Sequence, residues 1–141
     1  IGLDGQGKSG KSTGGIYFTD DTEIVRKKVM SMYTDPNRIH ATDPGRVEGN
    51  PVFIYHDYFN TNREEVEEMK NLYTKGGIRD VEVKTKLFNA IEEFLAPIRD
   101  KRAEVEAKGN DYIYDILAQG EVNAEKIASE TEAKVLESMG F

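Results

Sequence analysis

The residues best suited to chemistry lie in one short segment, Gly5-Gln6-Gly7-Lys8-Ser9-Gly10-Lys11-Ser12. Lysine ammonium groups neutralise phosphate charge, serine hydroxyls donate hydrogen bonds to it, and glycines let the backbone come close. The spacing fits G-x-x-x-x-G-K-[ST] at every position, the pattern of a Walker A phosphate loop. That loop needs a buried strand before it and a helix directly after it, so that backbone N–H groups and the helix N-terminus converge on the phosphates. Here the preceding strand could only be Ile1 to Leu3, and Gly14-Gly15 and Ile16-Tyr17-Phe18 follow. Each glycine costs a helix about 1 kcal/mol against alanine, and an Ile-Tyr-Phe run favours a strand. No later buried strand ending in an acidic residue stands out to hold magnesium. A small Walker-type NTPase therefore remains one alternative, and a non-catalytic helical interaction module another.

The rest of the chain must position this loop, and it reads as helical. With 141 residues, 38% hydrophobic and 32% charged, and a mean hydropathy of -0.62, it has the makings of one core. No segment approaches the ~18 apolar residues of a membrane helix, so a cytoplasmic protein with no membrane partner is expected. There is no cysteine and there are two histidines, His40 and His56, which excludes disulfides and thiolate metal sites, and no metal-ligating residues are assigned. The net charge of -7 is unevenly spread: residues 1–46 carry +1 and residues 47–141 carry -8. The groups able to meet phosphate are thus concentrated near the loop.

Asp20 and Glu23 have the spacing of a capping box, and Val25, Val29 and Met32 then share one face of a helix that should stop before Thr34-Asp35-Pro36. Asn50-Pro51 predicts a second helix start, with asparagine as cap and proline at the first helical position. Val52 to Phe59 is apolar nearly all round and should be buried. Asn62 opens a third segment, with Val66, Met69 and Tyr73 on one side and Gly76-Gly77 closing it. From Asp80 the apolar positions Val83, Leu87, Ile91, Phe94, Leu95 and Ile98 keep to one face, with a kink expected at Pro97 and an end at Gly109. Two further helices are expected, one around Ile113, Ile116 and Leu117 and one carrying Ile127, Thr131, Val135 and Met139. The fold class is mainly α, behind a loop and a single short strand.

Lys8-Ser9-Gly10-Lys11-Ser12, flanked by Leu3-Asp4-Gly5-Gln6 and by Gly15-Ile16-Tyr17-Phe18-Thr19-Asp20-Asp21, resembles the KMSKS signature loop of bacterial tryptophanyl-tRNA synthetases, a class I aminoacyl-tRNA synthetase family. The blocks Val25-Arg26-Lys27-Lys28-Val29-Met30-Ser31-Met32-Tyr33-Thr34-Asp35-Pro36-Asn37 and Val47-Glu48-Gly49-Asn50-Pro51-Val52-Phe53 are similar to the same enzymes, as is the ending Ser138-Met139-Gly140-Phe141. Both signature lysines and the last serine are in place, while Ser9-Gly10 replaces the usual Met-Ser. Glycine before the second lysine also occurs in tyrosyl-tRNA synthetases, and the helix that follows favours the tryptophan branch. The chain begins at Ile1 immediately before the loop, which suggests the back part of a larger enzyme. The resemblance implies that residues 1–20 form the signature loop and the edge of a truncated Rossmann-type catalytic domain. Residues 21–141 would be a helical domain that binds tRNA and its anticodon.

The resemblance further implies a tryptophan-tRNA ligase activity with ATP as substrate, Mg2+ carried on the ATP phosphates, and tRNA(Trp) and tryptophan as partners in a homodimeric complete enzyme. Lys8 and Lys11 would then be catalytic, and Lys8, Ser9, Gly10, Lys11 and Ser12 would bind ATP and pyrophosphate. Their chemistry follows from charge. Attack of the amino-acid carboxylate on the α-phosphorus drives negative charge onto departing pyrophosphate, and two flexible ammonium groups can follow it. Arg26, Lys27, Lys28, Arg38 and Arg46 are candidates for tRNA phosphate, although the first three fit a solvated helix face equally well. His56 in an apolar helix fits a satisfied core histidine better than a catalyst. Glu64, Glu65, Glu67 and Glu68 read as surface, because adjacent helix positions do not converge on a metal.

Overall fold

A computed structural model describes residues 1–5, 7 and 14–140, and within them five helices: α1 (Thr22–Met30), α2 (Pro51–Phe59), α3 (Arg63–Lys75), α4 (Asp80–Ala107) and α5 (Gly109–Met139). The chain divides into two compact units, Ile1–Arg99 and Asp100–Phe141. No helix among the described residues is long and apolar enough to cross a membrane.

Three helix starts follow from side chains that replace missing backbone partners. Asn50 accepts from the Val52 N–H at 3.0 Å with Pro51 at the first position, and Asn62 accepts from the Glu65 N–H at 3.1 Å. At α1 the cap is Asp21, which accepts from the Ile24 N–H at 2.7 Å. The expected capping role of Asp20 is corrected by this geometry, because its carboxylate turns back to the loop instead. The α3 end at Gly76 stands as the sequence predicts, in the left-handed region at φ 74°.

In the first unit these helices meet in one core. Val25 and Val29 of α1, Phe53 of α2, Val66, Met69 and Tyr73 of α3, and Val83, Leu87, Ile91 and Leu95 of α4 are buried together, and Leu3 from the loop's incoming arm joins them. Phe53 stacks edge-on against Tyr73 with ring centroids 4.9 Å apart, a favourable aromatic geometry. Two apolar segments are less buried than their composition predicts. In α2, Tyr58 is 79% exposed, and in α4, Phe94 is 45% exposed. Both line an open apolar groove of about 570 Å³ with Ile16, Tyr17 and Phe18. The short run Ile16-Tyr17-Phe18 is not a strand among the described residues.

The second unit departs from the sequence reading more clearly. The break at Lys108–Gly109 is present, but the two helices expected after it are one, α5, of 31 residues, with no buried residue. Nothing between Leu117 and Ile127 can stop a helix. The stretch holds Ala, Gln, Glu and Lys with no proline, and Gly120 alone costs about 1 kcal/mol. α4, by contrast, runs from Asp80 through Pro97 to Ala107, the span the sequence predicts.

Candidate functional site

The site is the base of the glycine-rich loop, built from the two chain arms that carry it and the helices to which they are tied. Lys8, Ser9, Gly10, Lys11 and Ser12 themselves lie outside the described residues. The incoming arm is fixed by Leu3, whose side chain is buried and whose carbonyl accepts from the Tyr33 N–H at 2.9 Å. Beyond it the Gly5 N–H donates to Gly2 O at 3.1 Å, and the Gly2 N–H to Gly7 O at 3.1 Å, which makes a tight turn. Gly5 has φ 75°, and a Cβ there would already be at 3.4 Å from both Tyr33 and Pro51, so the turn needs glycine.

The outgoing arm is fixed by charge. The Lys28 ammonium donates to Gly15 O at 2.7 Å and to the Asp20 carboxylate at 2.6 Å, and it sits 4.5 Å from the centre of the Tyr17 ring. Asp20 also accepts from the Tyr17 N–H at 2.8 Å. Burial alone would raise the Asp20 carboxyl, but the Lys28 ammonium and the Tyr17 N–H outweigh it and hold the group below its ordinary pKa. The Asp20 carbonyl accepts from Arg99 Nε at 2.9 Å, and Arg99 makes a two-pronged pair with Glu92 of α4 at 2.8 and 2.9 Å. Such fork-to-carboxylate pairs fix orientation as well as charge.

A third support lies under Tyr33. Lys84 of α4 is 5% exposed, and its ammonium donates to Met32 O at 2.6 Å, to Thr34 Oγ1 at 2.8 Å and to Met30 O at 3.2 Å. It thereby satisfies carbonyls left open at the C-terminal end of α1, where a cation is also favoured by the helix dipole. Burial pushes its pKa down. Sequence reasoning passed over Lys84, Tyr33 and Arg99. Only Lys84 leaves a signal, a lysine set inside the apolar stripe of α4 three residues before Leu87.

The five candidate RNA-contacting cations separate in the structure. Arg26 and Lys27 are exposed on α1, Arg26 lying 5.3 Å from the Phe88 ring centre. Arg46 is exposed and lines a cleft of about 250 Å³ with Gly5, Tyr33 and Pro51, beside the incoming arm. Lys28 is engaged in the loop contacts described above. Arg38 is buried, with 1% of its side chain accessible. Its guanidinium donates to Asp80 at 2.7 Å, to Asp43 O and Ala41 O at 2.9 Å, and to Ile78 O, and it stacks 4.2 Å from the Tyr73 ring centre. That side chain joins four segments of the unit and has no surface to offer RNA.

His56 fits the core reading. Its Nε2–H donates to Val83 O at 3.0 Å while Nδ1 accepts from Asn60 at 3.4 Å, which assigns a neutral tautomer, and burial pushes its pKa down. Of the acidic cluster, Glu65 pairs with Lys86 and accepts from Asn60 at 3.1 Å, and Glu67 pairs with Lys70 at 2.8 Å. Among the described residues no group of three or more His, Cys, Asp or Glu could hold a metal ion.

The loop is thus a phosphate-type sequence carried on a helical base, and among the described residues after it the first helix starts at Thr22, ten residues after Ser12. A Walker loop requires its helix at once, so the spacing match lacks its context. Over residues 1–96 the chain matches the family model of the class I tRNA synthetases of the tryptophan and tyrosine (W and Y) type, and it belongs to that family. Among individual relatives it is similar to the tryptophan-tRNA ligase of Borreliella burgdorferi, 52% identical over 142 residues that cover 100% of this chain and 40% of the relative. It is also similar to the tryptophan-tRNA ligase of Chlamydia caviae, at 52% identity over 96% of the chain and 39% of the relative. With that of Lactococcus lactis the identity is 46% over 99% and 42%. The chain spans about 40% of the length of these relatives.

Proposed function

We propose that this chain is the C-terminal portion of a tryptophan-tRNA ligase and supplies the loop that draws off pyrophosphate when tryptophan is activated. Residues 1–20 carry the signature loop at the edge of the catalytic domain, and residues 21–141 form the helical tRNA-binding domain. The observation that carries the reading is the loop base: the incoming arm is tied at Leu3 to Tyr33 and the outgoing arm at Gly15 to Lys28 of α1, so both described ends of the loop are held. Similarity to the tryptophan-tRNA ligases supports tryptophan and tRNA(Trp) as substrates of the complete enzyme, with ATP as the nucleotide that activates tryptophan.

In the activation step a carboxylate oxygen of tryptophan attacks the α-phosphorus of ATP, and the bond to the bridging oxygen breaks with its electron pair leaving on pyrophosphate. The Lys8 and Lys11 ammonium groups meet that growing charge, Ser12 donates its hydroxyl, and Ser9 and Gly10 complete the ATP- and pyrophosphate-binding segment. Magnesium would come as part of the ATP substrate and would neutralise charge on its phosphates. Arg26, Lys27 and Arg46 provide phosphate contacts for tRNA, which orient it without reading sequence. The complete enzyme works as a homodimer in the cytoplasm.

The decisive measurement is tryptophan-dependent ATP–pyrophosphate exchange by the complete ligase with Lys8→Ala or Lys11→Ala. Each loses one electrostatic contact made in the transition state, worth about 3 kcal/mol, so the rate falls on the order of 100-fold while tryptophan binding is unchanged. An unchanged exchange rate in both variants removes the assignment.

A further inference from the structure

His56 is fully enclosed, 0% exposed, and its ring can hold a proton on one nitrogen only. Nε2–H donates to Val83 O at 3.0 Å, so the lone pair is on Nδ1, where Asn60 Nδ2 donates to it at 3.4 Å. The same amide nitrogen donates to Glu65 Oε2 at 3.1 Å, and Asn60 Oδ1 accepts from the Asn62 N–H at 2.9 Å. Asn62 is in turn the cap of α3, accepting from the Glu65 N–H at 3.1 Å. One amide thus stands between a buried imidazole and a carboxylate, with both of its ends occupied. The charged groups around the ring are Asp57 on its own helix, held by Lys70 at 2.7 Å, and Glu65 of α3 and Lys86 of α4, which pair with each other.

We propose that His56 and Asn60 form a proton-operated latch on the joint between α2 and α3, residues 60–62. A proton taken up at Nδ1 turns the ring's acceptor into a donor, which then meets the N–H of Asn60. Turning the amide over restores that contact but sets Nδ2 against the Asn62 N–H and Oδ1 against the Glu65 carboxylate. No orientation of Asn60 therefore satisfies all three neighbours of a protonated ring. The conflict is relieved when the joint swings Asn60 aside and the Glu65 carboxylate moves in as counter-ion of the imidazolium. Thr61 and Asn62 are exposed and lie outside any helix, so they can move without opening the core around Phe53, Met69 and Leu87. Burial lowers the His56 pKa from its ordinary 6.5 and keeps the closed joint neutral. The open joint binds the proton more readily, so each pH unit below about 6.5 favours opening by up to tenfold, until the closed ring itself protonates.

The test is hydrogen–deuterium exchange of the full chain at about pH 7.5 and about pH 5, with each amide corrected for its intrinsic rate. Glu65, held below its ordinary 4.5 by Lys86 and Asn60, stays ionised throughout that range. Protection at Asn62 to Val66 is expected to fall on the order of tenfold on acidification, while Val29 of α1 and Leu87 to Ile91 of α4 change less than about twofold. His56→Gln, whose amide keeps the bond to Val83 O and takes up no proton, should hold the joint's protection level across the range. Glu65→Gln removes the counter-ion and should move the fall to lower pH by about half a unit or more. Should His56→Gln fail to fold, Asn60→Asp carries the test: its carboxylate accepts from the imidazolium, so protection at the joint rises on acidification instead of falling. Equal losses at the joint and in α1 and α4 would mean that His56 titrates only through global unfolding, and would overturn the latch. So would unchanged protection at about pH 5, a fall that persists in His56→Gln or Asn60→Asp, or a profile unmoved by Glu65→Gln.

Discussion

Arg38→Lys separates two roles that a positive charge can have in this chain, holding the fold and meeting an RNA phosphate. Lysine keeps the charge that a phosphate contact needs but lacks the planar fork that serves several acceptors in fixed directions. In the structure the guanidinium reaches Asp80 on α4, the carbonyls of Ala41, Asp43 and Ile78, and the face of Tyr73. A lysine ammonium can keep Asp80 and one carbonyl, so two charge-assisted bonds and the stacking are lost. Hydrogen bonds to charged groups contribute about 1.5–3 kcal/mol each, and relaxation and water entry recover part of that, which leaves a loss of about 2–3 kcal/mol. Unfolding entropy is about 2.1 cal/mol/K per residue, or about 0.2 kcal/mol per degree for a unit of roughly 100 residues, so Tm of the first unit should fall by about 10–15 °C. Thermal unfolding of the full chain followed by near-ultraviolet circular dichroism reads this, because the tyrosines Tyr55 and Tyr73 report the first unit. At a temperature where the variant is folded, tRNA affinity should be unchanged. A Tm within about 2 °C of wild type would refute the structural role, and weaker tRNA binding at unchanged Tm would return Arg38 to the RNA interface.

His56 gives the chain a pH dependence of its own. Its pKa is lowered by burial from the ordinary 6.5, so the unfolded chain binds the proton first; stability is full above 6.5 and is lost as pH falls through the folded value. The steepest slope is about 1.4 kcal/mol per pH unit, and between pH 6.5 and 4.5, above the lowered ranges of Asp20, Asp35, Glu65 and Glu92, urea unfolding of a His56→Gln variant should show a flatter profile than wild type. Gly76→Ala places a Cβ at 2.0 Å from Thr42 O in a left-handed residue and should cost about 3 kcal/mol, whereas Gly109→Ala, at φ 80° with nothing within 4 Å, should cost only the backbone strain of about 1–2 kcal/mol. Equal losses of chemical-denaturation stability in the two variants would show that Thr42 gives way.

Local chemistry was legible in the sequence wherever a single residue or a fixed spacing decides the structure. Asn50-Pro51, Asn62 and Gly76 set three helix ends because each replaces or removes a specific backbone partner. The α3 and α4 faces followed from 3.6-residue spacing alone. What periodicity cannot tell is whether an apolar stripe has a partner: Ile113, Ile116, Ile127 and Val135 are spaced as core residues, and all four are exposed on α5. Tyr58 and Phe94 fail in the same way, since their rings line an open groove.

The cations were harder still, because a positive charge carries no mark of what it faces. Lys28, Arg38 and Lys84 look alike in sequence to Lys27 and Arg46, yet the first three hold backbone carbonyls within the first unit and the last two are exposed. The difference comes from contacts far apart in the chain, as in Arg99 to Asp20, 79 residues away. Bulk charge therefore misleads in both directions. A net charge of -7 does not argue against an RNA partner, since local cations set phosphate contact; and a local excess of cations overstates that contact, since part of it is spent on buried acceptors. In this chain the basic residues around the loop divide between those that build its base and those left exposed, and their distances to Gly15 O, Met32 O and Asp80 tell the two apart.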